Sequence, residues 1–92
     1  MQKPRTVTSK QIRELVEQQE YCCALTGRKL TPETASLDHI VPLGRGGTHD
    51  ISNLWVLEYR VNSAKGTMML SEFTDMCRDV VAYGSSEKPD VS

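Results

Sequence analysis

Long apolar stretches, paired cysteines and surplus positive charge are all missing from this sequence, and each absence narrows the choice. No apolar run approaches the roughly 20 residues that a membrane-spanning helix requires, and no basic-apolar-small leader pattern is visible. Only three cysteines are present, and two of them, Cys22 and Cys23, are neighbours that cannot easily bridge each other, which speaks against a secreted disulfide framework. Eleven Lys and Arg stand against twelve Asp and Glu, a formal net charge of −1, so no molecule-wide basic field marks the chain for nucleic acid. With 92 residues, 38% of them hydrophobic, there is room for one domain and one modest core. The expectation is a soluble cytoplasmic protein with no membrane partner, a single domain over residues 1–84 and a disordered polar tail over 85–92.

The charge that is present is unevenly placed. Glu87 and Asp90 fall in the tail and Asp75 and Asp79 on a solvated helix, whereas Arg28, Lys29, Arg45, Arg60 and Lys65 surround the segments that carry chemistry. Thr8 and Gln11 have the spacing of a capping box, and Ile12, Leu15 and Val16 recur at helical intervals, which predicts a helix from about Ser9 to Gln19. Tyr21 to Leu30 reads as two short extended pieces around a tight turn at Gly27, and Thr31-Pro32-Glu33 as the next turn. Ser36 to Leu43 predicts a strand that stops at the loop Gly44-Arg45-Gly46-Gly47, and Ile51 to Leu57 the return strand of a hairpin. Helix formers follow from Glu58 to a stop at Gly66, and Ser71 caps a last helix carrying Phe73, Met76, Cys77 and Val80 on one face and ending at Gly84. The fold class expected is α+β: an antiparallel hairpin with a helix across it, flanked by an N-terminal and a C-terminal helix.

Four short runs hold the reactive side chains: Leu37 to Leu43, Gly46-Gly47, Ser52-Asn53-Leu54 and Val61 to Gly66. Together they offer a carboxylate, an imidazole and two amides on a strand, a loop and a helix, a set suited to phosphodiester hydrolysis. That reaction needs a water deprotonated near neutral pH and charge stabilised on phosphoryl and leaving oxygens. Histidine, with an ordinary pKa of about 6.5, accepts the proton, and a hard cation on oxygen ligands neutralises the charge. His39 fits the first task, and Asp38 and Asn62 supply oxygens for the second. Side chains adjacent on a strand point to opposite faces, which suits in-line attack, where base and leaving-group cation lie on opposite sides of phosphorus. Lys65 stands three residues after Asn62 and shares its helix face, within reach of a phosphate oxygen. Arg45 in the Gly-rich loop is placed for a sequence-independent DNA backbone contact.

From Cys23 to Gly66, and on through Glu72-Phe73, these residues resemble the HNH endonucleases of phage and bacteria, whose ββα-metal site is read from Asp-His, a downstream Asn-Leu, and a final Asn or His followed by Lys. The resemblance implies His39 as general base, Asp38 and Asn62 as ligands of a single divalent cation, magnesium or manganese, and Asn53 as the residue fixing the loop that holds His39. It implies Lys65 as a phosphate contact, DNA as substrate and 5′-phosphate products, in a bacterial or phage-infected cytoplasm. Many members also hold a structural zinc on two Cys-x-x-Cys pairs. Here Cys23 matches the first ligand, but Thr26, Glu58 and Val61 stand at the other three positions, and one thiolate cannot make a tetrahedral site. No structural zinc is expected, and Cys23, Leu25, Val61 and Trp55 are expected in the core instead.

His49 stays open among metal ligand, phosphate contact and surface side chain, with the surface reading favoured. Glu58, one turn before Asn62, stays open between leaning toward the metal and a salt bridge with Arg60 or Arg28, with the structural pairing favoured. The Gly-rich loop lacks the Lys-Ser or Lys-Thr that a phosphate-binding loop needs, so a hairpin connection is preferred. Two rivals remain: a non-catalytic DNA-binding module of the same fold, and an accessory protein acting beside a phage packaging protein.

Overall fold

The computed structural model describes residues 7–85. The expected tail over 85–92 therefore lies, apart from Ser85, outside the described residues. The chain order is helix α1 (Ser9–Gln18), strand β1 (Ala35–His39), strand β2 (Leu54–Glu58), helix α2 (Tyr59–Lys65) and helix α3 (Leu70–Gly84), with single 3₁₀ turns at Leu43–Arg45 and Ile51–Asn53. This is a small α+β domain built on a two-stranded antiparallel hairpin. Among the described residues no helix is long and apolar enough to cross a membrane.

Helix α1 begins where its capping box dictates: the Thr8 hydroxyl accepts from the Gln11 N–H at 3.1 Å and the Gln11 side chain accepts from the Thr8 N–H at 2.9 Å. Past its end, Glu20 and Tyr21 both take left-handed backbone at φ +55° and +59°, a costly pair for residues with a Cβ. Hydrogen bonds from Tyr21 N–H to Val16 O and from Cys22 N–H to Gln19 O hold this turn, and the chain re-emerges as the Cys22–Lys29 bridge around Gly27. Gln19 then does the work of a neighbouring strand. Its amide nitrogen donates to Val56 O at 2.8 Å and its amide oxygen accepts from Val56 N–H at 2.9 Å, so both outward backbone groups in the middle of β2 are satisfied.

The hairpin register pairs Ser36 with Leu57, Leu37 with Val56, Asp38 with Trp55 and His39 with Leu54. Both strands are shorter at the loop end than alternation of apolar residues predicts. Strand β1 stops at His39, four residues before Leu43, because Val41 N–H bonds to the Asn53 side chain and Pro42 has no N–H to continue a ladder. On the return side Ile51–Asn53 tightens into a 3₁₀ turn before β2 begins.

The core is Cys23, Leu30, Val56 and Leu57, with Leu15, Val16, Leu25, Leu37, Trp55 and Val61 packed against it. Cys23, Leu25, Val61 and Trp55 thus pack as expected. Helix α3 departs from expectation twice. It starts before Ser71, at Leu70, with Glu72 reaching back to the Met69 N–H at 2.8 Å, so the acidic residue rather than the serine satisfies the helix start. Of its supposed apolar face only Phe73 is buried; Cys77 is exposed, and Met76 and Val80 are 41% and 65% exposed.

Candidate functional site

Alternation along β1 turns Asp38 and His39 to opposite faces of the hairpin, and each side meets a different element. Asp38 faces α2. Its Oδ2 accepts from Trp55 Nε1, the residue directly opposite in register, at 2.8 Å, and pairs with Lys65 Nζ at 3.0 Å. Lys65 Nζ also donates to the His39 carbonyl at 3.3 Å, and the lysine is fully buried. The expected surface cation is therefore an enclosed counter-ion of Asp38, out of reach of a phosphate, and its helix-face position says only which way it points. Asp38 Oδ1 accepts from no protein group among the described residues.

Asn62, one turn earlier on α2, donates through Nδ2 to Ser36 Oγ at 2.7 Å and to the Leu37 carbonyl at 3.3 Å. A carbonyl can only accept, so the amide nitrogen must lie on that side and Asn62 Oδ1 points the other way, with no protein donor to it among the described residues. Ser36, Asp38, Asn62 and Lys65 thus form one polar seam where α2 crosses β1. It leaves a carboxylate oxygen and an amide oxygen over. Among the described residues no three His, Cys, Asp and Glu side chains gather at one point. One carboxylate with neutral oxygens and water is nonetheless a donor set that magnesium accepts, since it keeps several waters and takes few protein ligands.

On the opposite face His39 meets the Gly-rich loop. His39 Nε2 lies 2.9 Å from His49 Nδ1, and the rings are tilted by 48° with centroids 5.1 Å apart, an edge-to-edge hydrogen bond rather than a stack. His49 is exposed, as expected, yet not idle. Asn53 closes the loop from within: its Nδ2 donates to Val41 O at 3.0 Å and to Thr48 O at 2.8 Å, and its Oδ1 accepts from Val41 N–H at 2.9 Å. Both donations of that amide and the one bond its oxygen accepts are directed to the loop, so Asn53 is a positioning residue. The two glycines are needed for separate reasons. Gly46 sits at φ +93°, and a Cβ on Gly47 would fall 1.8 Å from the Val41 carbonyl oxygen.

Arg45 does not stand free for DNA. It pairs with Glu72 at the start of α3 and reaches the Thr67 carbonyl at 3.5 Å, tying the loop to that helix. The Arg45 guanidinium, with help from the Met69 N–H, holds the Glu72 carboxyl below its ordinary value. Glu58 pairs with both Arg60, at 3.2 Å, and Arg28, at 3.7 Å, the structural role expected of it. Beside it, burial pushes the Cys23 thiol up, but hydrogen bonds from the Thr26 side chain and from the backbone of Glu58, Leu25 and Thr26 outweigh this and leave it lowered.

The sequence did not reveal four contributors: Trp55 and Ser36, which orient Asp38 and Asn62, Glu72 on Arg45, and His49 on His39. The first could be found only from the hairpin register, which depends on where a loop of unknown shape lets the strands pair. No protein-family model matches this chain, and a search of curated proteins returns no relative.

Proposed function

We propose that the protein is a metal-dependent DNA endonuclease with a ββα-metal core of the HNH kind, in which β1, β2 and α2 are the core elements. The observation that carries this reading is the division of labour at the end of β1: Asp38 and Asn62 each keep one uncommitted oxygen on the α2 face, while His39 presents an imidazole to the other. A second feature supports it. Three of the four positions that the resemblance assigns to structural zinc ligands lie together, the Cys23 thiol having the Thr26 side chain and the Glu58 backbone beside it.

Asp38 and Asn62 would hold one divalent cation, magnesium or manganese, which when bound supplies charge neutralisation at the departing 3′ oxygen. His39 takes a proton from the attacking water. Lys65 and Trp55 fix the Asp38 carboxylate at Oδ2, so that Oδ1 is the oxygen left for a cation. Asn53 keeps the loop closed over His39. The product end carries a 5′-phosphate.

Plasmid cleavage by the purified protein with magnesium, manganese or chelator, beside a His39→Ala variant of verified fold, tests the reading. Metal-dependent nicking that disappears in the variant is the expected result. A wild type that binds DNA but cleaves it in the presence of none of these metals would refute the stand-alone nuclease. One observation favours a second reading, a nuclease that draws its DNA affinity from a partner such as a phage packaging protein: Lys65 and Arg45, the cations expected to hold phosphates, are both engaged by carboxylates. Cleavage that appears only when such a partner is added would select it.

A further inference from the structure

We propose that His49 is a positioning residue that fixes the tautomer and ring orientation of His39; this rests on the nuclease reading above. A 2.9 Å contact between His39 Nε2 and His49 Nδ1 requires one ring to donate and the other to accept. If His49 donated, the His39 Nε2 lone pair would be occupied and its Nδ1 would carry the proton, leaving no lone pair to take one from water. If His39 donates, its Nδ1 lone pair is free, and Nδ1 has no protein partner among the described residues. Only the second arrangement permits a base, and it needs His49 Nδ1 as a neutral acceptor. The water proton then moves to His39 Nδ1, the hydroxide bonds to phosphorus as the bond to the 3′ oxygen breaks, and that oxygen takes a proton from solvent. The Nε2–H bond to His49 persists throughout and strengthens as the ring becomes charged.

The loop is built to deliver His49 there. Asn53 Nδ2 holds the carbonyl of Thr48, the residue just before His49, at 2.8 Å, and Gly47 lets the chain pass against Val41 where any Cβ would collide. Asn53 thereby acts on His39 through Thr48 and His49.

Two measurements test the proposal together. In ¹⁵N-labelled protein in mildly alkaline buffer, His39 should carry its proton on Nε2 and show a nitrogen–nitrogen coupling across the hydrogen bond to His49 Nδ1; a proton on His39 Nδ1, or no coupling, overturns it. In cleavage assays, His49→Ala should lower kcat roughly 10- to 100-fold with KM for a short duplex unchanged. His49→Asn, whose side-chain oxygen replaces the Nδ1 acceptor, should recover most of that loss. An active wild type with a fully active His49→Ala, or an Asn variant no better than Ala, removes the proposal and leaves the nuclease standing. A wild type inert with every metal, both alone and with a partner such as a phage packaging protein added, removes both, and a surviving coupling would then report only a structural contact.

Discussion

Lys65 shows best how a residue's type and its role come apart. A lysine on a short helix is ordinarily a solvated charge, and helical spacing put this one beside Asn62 on the phosphate side. The structure encloses it instead, with Nζ on Asp38 Oδ2 and the His39 carbonyl. Removing one partner of such a pair strands the other charge in a poorly solvated place, which costs about 3–5 kcal/mol. Lys65→Met should therefore lower unfolding free energy by about that amount in urea titrations. A variant of undiminished stability would show that the enclosed pair contributes little to the fold. Asp38 and Asn62 were legible as oxygen donors from type and spacing. Which of their atoms are tied down was not, because that depends on Trp55 across the hairpin and Ser36 along it.

At the level of elements, the capping box at Thr8 and Gln11 announced α1, and Gly66 the end of α2. The hairpin was legible as two apolar runs, but its strand ends were not. The loop between them is knit by one side chain, Asn53, bonding to Val41 and Thr48, and apolar alternation carries no trace of such bonds. Asn53→Ala should uncover two carbonyls and one N–H, with loss of about 1–3 kcal/mol per group left unpaired in proportion to its burial. Hydrogen exchange at the Val41 amide should accelerate sharply while the Val56 amide, bonded to Gln19, keeps its protection. Equal acceleration at both would mean that the loop and sheet open as one unit. The last helix misled in the other direction: an apolar spacing was present, yet only Phe73 finds the core.

On the scale of the whole molecule, the main core cluster of the described residues is Cys23, Leu30, Val56 and Leu57, and none of these four lies in the Gly-rich loop. The loop is tethered to α3 by Arg45 and Glu72, and the tether is sensitive to acid. Because Glu72 titrates lower in the folded chain than its ordinary 4.5, its contribution is complete above that pH and fades as pH falls through the lowered native value. Thermal melts of wild type and Glu72→Gln should accordingly differ near neutrality and converge in acid. A gap that persisted at low pH would deny the ion pair its part. The overall charge of −1 was readable as an argument against DNA; the pairing that further reduces the free cations near the site was not, since it brings together residues 45 and 72 through the fold.

A sheet of only two strands has two flanks, and each is a template on which another extended chain can add itself. Gln19 changes that on one side. By presenting a donor and an acceptor to Val56 at peptide-like distances, its side chain stands in for the strand that would otherwise come next. A residue at the end of the first helix therefore blunts the β2 flank of the hairpin against strand addition, without any extra strand to close it.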